Sequence, residues 1–156
     1  MTLTRSFDEL EALGIGTLRF SGRERVLEFA DGLKRLWESA KKYMSSPVRK
    51  TMIIRKPKKS VRWPLAGLSA LAGYSMLDGP DTTVYAVGEN EWKSLEIIEP
   101  RMDERDQCEV EVWKYPPEMF AAEGKVDRFS LSLSLRDNTE ARVESAVGEM
   151  MENIQW

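Results

Sequence analysis

Leu3, Phe7 and Leu10 fall at i, i+4 and i+7, and Leu13 continues the stripe, which is the spacing of an amphipathic helix. Gly14-Ile15 predicts its stop, with glycine in the left-handed position and Ile15 folding back as the apolar contact. On this reading Thr2, Arg5, Asp8 and Glu9 face outward. The period then changes to two. Leu18 and Phe20 alternate with Thr17 and Arg19, and Leu27 and Phe29 alternate with Val26 and Glu28, around Ser21-Gly22-Arg23-Glu24. That pattern predicts a β-hairpin.

Further along, Asp31 is placed to cap a helix whose apolar stripe is Leu33, Leu36, Trp37, Ala40 and Met44, ended by Ser45-Ser46-Pro47. The run 48–55 reads as a strand. Pro64 suits the first turn of a helix over 65–77, followed by a turn at Asp78-Gly79-Pro80-Asp81 and a buried strand over 82–87. A helical turn is expected at 91–95, and strands at Ile97-Ile98 and 108–115, with an acidic loop at 102–107 between them. Residues 129–135, FSLSLSL, alternate as a strand would. A helix capped by Asp127 also fits, with Phe129/Leu133 and Leu131/Leu135 at i, i+4. The last helix is marked by Val143, Ala146, Val147, Met150 and Ile154, with Asp137 and Glu140 as a capping box. It is expected to pack on the sheet. The fold class is therefore α+β: a helix–hairpin over 1–30, a linking helix over 31–46, and a small α/β domain with a mixed sheet over 47–156.

Charge changes the picture. The net charge of −3 conceals a split, because residues 1–62 carry 15 Lys and Arg against 7 Asp and Glu, while 63–156 carry 8 against 19. A polyanion-facing part joined to an acidic remainder is one explanation, and two unlike solvated surfaces is the other. Arg19, Arg23 and Arg25 lie together on the hairpin and can reach phosphates, or can pair with Glu24 and Glu28. From Arg49 to Arg62 there are seven basic residues and no acidic one, including Lys56, Lys58, Lys59 and Arg62. Such a run can hold a nucleic-acid backbone, dock an acidic partner, or simply be a solvated loop.

Composition excludes much chemistry. Without histidine there is no Ser-His-Asp or Cys-His catalysis and no imidazole metal ligand. One cysteine, Cys108, permits neither an internal disulfide nor a thiolate zinc site, and suits a reducing cytoplasm. No apolar run approaches the roughly 20 residues of a membrane span, and the first residues lack the apolar core of a signal peptide. No GxxxxGK[ST] or GxGxxG loop is present. Glu109 and Glu111 share one face of a strand, and alternation makes that a solvated face. No cofactor is expected.

Two stretches carry a family resemblance. TLTRSFDELEALGIGTLRFSGRERVLEF resembles the recognition helix and wing of MarR-like winged-helix regulators, in which a helix ending in ELE-x-LG leads into a hairpin with a basic GR turn. PLAGLSALAGYSMLDGPDTTVYAV looks like the C-terminal part of AbiEi-type antitoxins, where an AGxSAL helix precedes a VYAV-like strand. The closing VDRFSLSLSLRDNTEARVESAVGEMMENIQW is similar to the segment that ends such proteins, which implies helices there.

The resemblance implies a regulator that binds duplex DNA, with a toxin as a possible protein partner and a homodimer as a possible assembly. It carries over Arg5 on the helix and Arg19, Arg23 and Arg25 on the hairpin as DNA contacts. Two helices precede the recognition helix in a complete winged helix. An upstream segment or a partner chain is expected to supply them, or the unit does not dock on DNA. A protein-interaction module that uses the acidic part is the alternative. A nucleotidyltransferase-like enzyme is the third reading, and for it the strand TTVYAV lacks the Asp-x-Asp pair that would hold Mg²⁺.

Overall fold

A computed structural model describes residues 3–30, 32–57, 62–95 and 106–156, and the fold is α+β. The chain divides into two compact units, Met1–Met44 with Gln155–Trp156, and Ser45–Ile154.

The first unit opens with helix α1 (Leu3–Ala12). Gly14, at φ +71°, stops it by a double capping bond: Gly14 N–H donates to the Glu11 carbonyl at 2.9 Å and Ile15 N–H to the Leu10 carbonyl at 3.0 Å. Ile15 is buried, as the hydrophobic contact of this motif requires. The chain then enters the antiparallel hairpin of β1 (Thr17–Ser21) and β2 (Glu24–Glu28), turning at Gly22-Arg23. Helix α2 (Leu33–Ala40) follows, continued by a 3₁₀ turn at Lys41–Tyr43. Gly32 occupies its N-cap position, and the expected cap Asp31 lies outside the described residues.

In the second unit β3 (Val48–Arg55), β5 (Gln107–Trp113) and β4 (Val84–Gly88) form one mixed sheet in the order β3-β5-β4. β3 pairs antiparallel to β5, and β4 pairs parallel to it. Both faces of central β5 are covered. On one, Cys108, Val110 and Val112 pack with Ile54, Val87, Trp63 and Trp92 of α4 (Glu89–Ser94). On the other, Trp113 packs with Ala86, Ala70 and Leu71 of α3 (Gly67–Ala72), Leu131 of α5 (Arg128–Ser134), and Val143, Ala146 and Met150 of α6 (Ala141–Glu152).

Two expectations are corrected and one open choice is decided. The FSLSLSL run, which by its pattern fits a strand or a helix capped by Asp127, is helical in α5. Asp127 accepts from Ser130 N–H at 2.9 Å, and the Ser132 and Ser134 hydroxyls donate back to the carbonyls of Phe129 and Leu131. Serine thus satisfies itself within the helix, and alternation loses its meaning. The helix expected over 65–77 is only the short α3. Pro64 is extended instead of helical, because residues 64–66 lie along the outer edge of β4: Ala86 N–H donates to the Pro64 carbonyl and Ala66 N–H to the Val84 carbonyl, each at 3.0 Å. The capping box of α6 does not form. Glu140 is the N-cap without a side-chain bond, and its N–H donates to Asn138 Oδ1 at 2.9 Å. Asp8 is exposed as expected and pairs with Arg25 of the hairpin. Ile97, Ile98 and most of the acidic loop fall outside the described residues.

Candidate functional site

The helix–hairpin positions its arginines by the pleat of the hairpin. Arg19 is opposite Val26 and Phe20 is opposite Arg25. Side chains alternate along a strand, so Arg19 and Arg25 leave opposite faces. Arg25 turns inward to Asp8 of α1, with its Nε buried and lacking a partner among the described residues. A second tie fixes helix to hairpin, since the Glu11 carboxylate accepts from Leu18 N–H at 2.8 Å. Arg19 lies on the outer face and pairs with Glu28 at 2.7 Å. Arg5 pairs with Glu9 one turn along α1 at 3.0 Å, both well exposed.

Arg23 stands at the tip of the turn, exposed, and makes no hydrogen bond or ion pair among the described residues. Among the described residues the helix–hairpin therefore offers one uncommitted cation, Arg23, two that must leave a carboxylate to meet a phosphate, Arg5 and Arg19, and one that braces the fold, Arg25. Exposed pairs of this kind are worth at most about 1 kcal/mol, so a polyanion can displace Glu28 or Glu9. Of the remaining residues singled out by sequence, Lys56 and Arg62 belong to the second unit, and Thr2, Lys58 and Lys59 lie outside the described residues.

The sequence reading missed one group. Glu111, expected on a solvated face, is 8% exposed in the middle of β5. Its Oε2 accepts from Trp113 Nε1 at 2.9 Å. Its Oε1 lies 3.0 Å from where a Cβ on Gly67 would sit, and Gly67 itself is at φ +49°. The positive φ favours glycine there, and the close carboxylate leaves little room for a side chain. Burial raises the Glu111 carboxyl to about 7, against the lowering effect of the Trp113 bond, and Glu109 adds to the rise. The row Cys108, Val110 and Val112 did not reveal it. An apolar row opposite an acidic row cannot say which face is covered, and in a central strand both are.

No group of three or more metal-ligating side chains occurs among the described residues, and no helix of theirs is long and apolar enough to cross a membrane. Comparison with protein-family models, with curated proteins and with solved structures finds no match.

Proposed function

We propose that this chain is a cytoplasmic DNA-binding transcriptional regulator of antitoxin type that contacts duplex DNA through the helix–hairpin unit. The observation that carries the reading is the run of α1, through the Gly14-Ile15 stop, directly into a hairpin whose tip carries an exposed Arg23, unpaired among the described residues. A recognition helix followed by a wing has that order, and the wing's basic turn is the part that reaches phosphates. The basic surplus of residues 1–62 supports it further, since phosphate contacts supply most of the affinity for DNA.

The test is the salt dependence of binding to fragments of the host genome. Arg23→Ala and Arg19→Ala should each reduce the slope of log affinity against log salt by about 0.9 for every phosphate the variant no longer neutralises. Arg5→Ala should alter preference among fragments, because early residues of such a helix lie nearest the base edges. Arg25→Ala should loosen the hairpin as well as remove charge. Unchanged affinity and slope in the Arg19 and Arg23 variants would sink the wing assignment.

A second reading, a protein-interaction module whose acidic part binds a basic partner of toxin type while the first unit serves for dimerisation, is favoured by a separate observation. Leu3, Phe20 and Leu33 of the first unit are 72, 76 and 66% exposed. Large apolar side chains left open in one small unit suit a protein surface better than a phosphate backbone. A stable complex with such a partner, together with no DNA binding at low salt, would put this reading in place of the first.

A further inference from the structure

The two edges of the sheet are treated differently. Residues 64–66 seal the outer edge of β4, whereas among the described residues nothing pairs with the outer edge of β3. The register shows which groups are left there. Lys56 N–H donates to the Asp106 carbonyl at 3.0 Å, in line with the pairing of Ile54 with Cys108 and Met52 with Val110. Alternate residues of an antiparallel strand turn both backbone groups the same way. Ile54 and Met52 thus bond inward to β5, and Thr51 and Ile53 direct their N–H and C=O outward. Both residues are exposed, Ile53 by 52%.

Beside this edge lies a hollow of about 380 Å³ lined by Arg49, Lys50, Glu89, Trp92 and Lys93. Lys50 Nζ sits 4.9 Å from the centre of the Trp92 ring. Glu89 is shared by Arg49 at 3.1 Å and Lys93 at 3.0 Å, so three cations face one carboxylate. A bulge between Val48 and Lys50, and the lysine itself, guard one end of the edge against indiscriminate pairing. The stretch 51–54 keeps a regular register.

We propose that the outer edge of β3 receives an extended acidic segment of a partner protein as a fourth strand. Main-chain bonds would form at Thr51 and Ile53, and acidic side chains on the α4 face would meet Lys50 and Lys93. A second copy of this chain is the poorer occupant. β3 carries Arg49, Lys50 and Arg55 with no acidic residue, so two such strands repel in any register. Nucleic acid is also a poorer fit, because Glu89 stands among the cations and Ile53 offers an apolar contact beside peptide-spaced backbone groups. The partner strand has a counterpart on the other side of β3, where β5 presents Glu111 to Thr51 and Glu109 to Ile53.

The experiment titrates the isotope-labelled full chain with a blocked peptide of alternating glutamate and valine, about as long as β3, and follows backbone amides and the Trp92 indole by NMR. Saturable shifts confined to β3 and α4 are expected. A proline in the middle of the peptide, or lysine in place of glutamate, should abolish them. Lys50→Glu combined with Lys93→Glu should weaken binding about tenfold. The peptide-side changes leave the protein intact, so the result stands even if the double variant folds poorly. Equal binding of the lysine peptide, shifts located elsewhere, no saturable shift, displacement of the peptide by a single-stranded oligonucleotide, or concentration-dependent dimerisation through β3 would each overturn the proposal.

Discussion

In the helix–hairpin unit Ile15 is the only described side chain that is buried. The sheet unit buries Trp113, Leu71, Leu131, Met150 and a row of valines almost completely. Both units draw on the same apolar residue types, and they differ in what covers them. Burial of apolar area stabilises by roughly 25 cal/mol per Å², and that term is smaller in the first unit, where Phe7, Leu10, Leu18, Leu27, Leu36 and Trp37 are only half-buried. Its geometry rests on local devices: the Gly14-Ile15 stop, the Glu11 bond to Leu18, and the Asp8–Arg25 pair. Each is worth about 1 kcal/mol or somewhat more where a charge takes part. A part held in this way opens at low cost, which suits a surface that must adapt to DNA or to a protein.

That contrast can be broken most directly by truncation. Leu131→Ala in the sheet unit should cost about 3 kcal/mol, whereas Leu3→Ala on α1 should stay within about 0.5 kcal/mol. Urea unfolding followed by tryptophan fluorescence measures both. A large loss for Leu3→Ala would show that α1 is covered and would erase the distinction.

Nearly as large an effect belongs to the buried acid. The Glu111 carboxyl titrates near 4.5 in the unfolded chain and near 7 when folded, so the folded state holds its proton more tightly. Below about pH 4.5 both states are protonated and the group costs nothing. As pH rises to about 7 the folded state loses up to about 3 kcal/mol relative to the unfolded chain, and no more beyond that. Glu111→Gln keeps an acceptor for Trp113 without the charge, so it should be more stable than the parent at pH 8 and indistinguishable from it at pH 4.5. Chemical denaturation across this range tests it. A parent whose stability does not fall between pH 5 and pH 8 would place the carboxyl in a wetter setting than the structure gives it.

Smaller effects belong to the local devices. Gly14→Ala must hold a side chain at φ +71° and should cost the first unit about 1 kcal/mol. Amide exchange in β1 and β2 is the readout, and the sheet should be untouched. Arg19→Ala should cost under about 0.5 kcal/mol, since its bond to Glu28 is exposed. If the glycine change were felt equally in both units, the two would be one cooperative body.

What was legible followed from the range of the forces. The stop at Gly14-Ile15 and the Gly22-Arg23 turn were readable because their causes lie within a few residues. So was β3 over Val48–Arg55, and so was the stripe of α6, where Val143, Ala146 and Met150 are buried as expected. The hairpin arginines were legible as a cluster, but their separation onto two faces depends on register. FSLSLSL stayed open between strand and helix because serine hydroxyls can bond to their own helix, so a polar position there need not face water.

Local sequence by itself determined where α1 stops, where the hairpin turns, and where the charge lies along the chain. Only the tertiary structure decided which faces those elements cover. Glu111 became a buried acid because β5 lies at the centre of the sheet with Gly67 pressed against it. Pro64 became the guard of one sheet edge, while among the described residues nothing pairs with the edge of β3. Propensity and periodicity act over a few residues, whereas burial and strand order depend on partners far away in the chain. The same alternating pattern can therefore end in water or in the core.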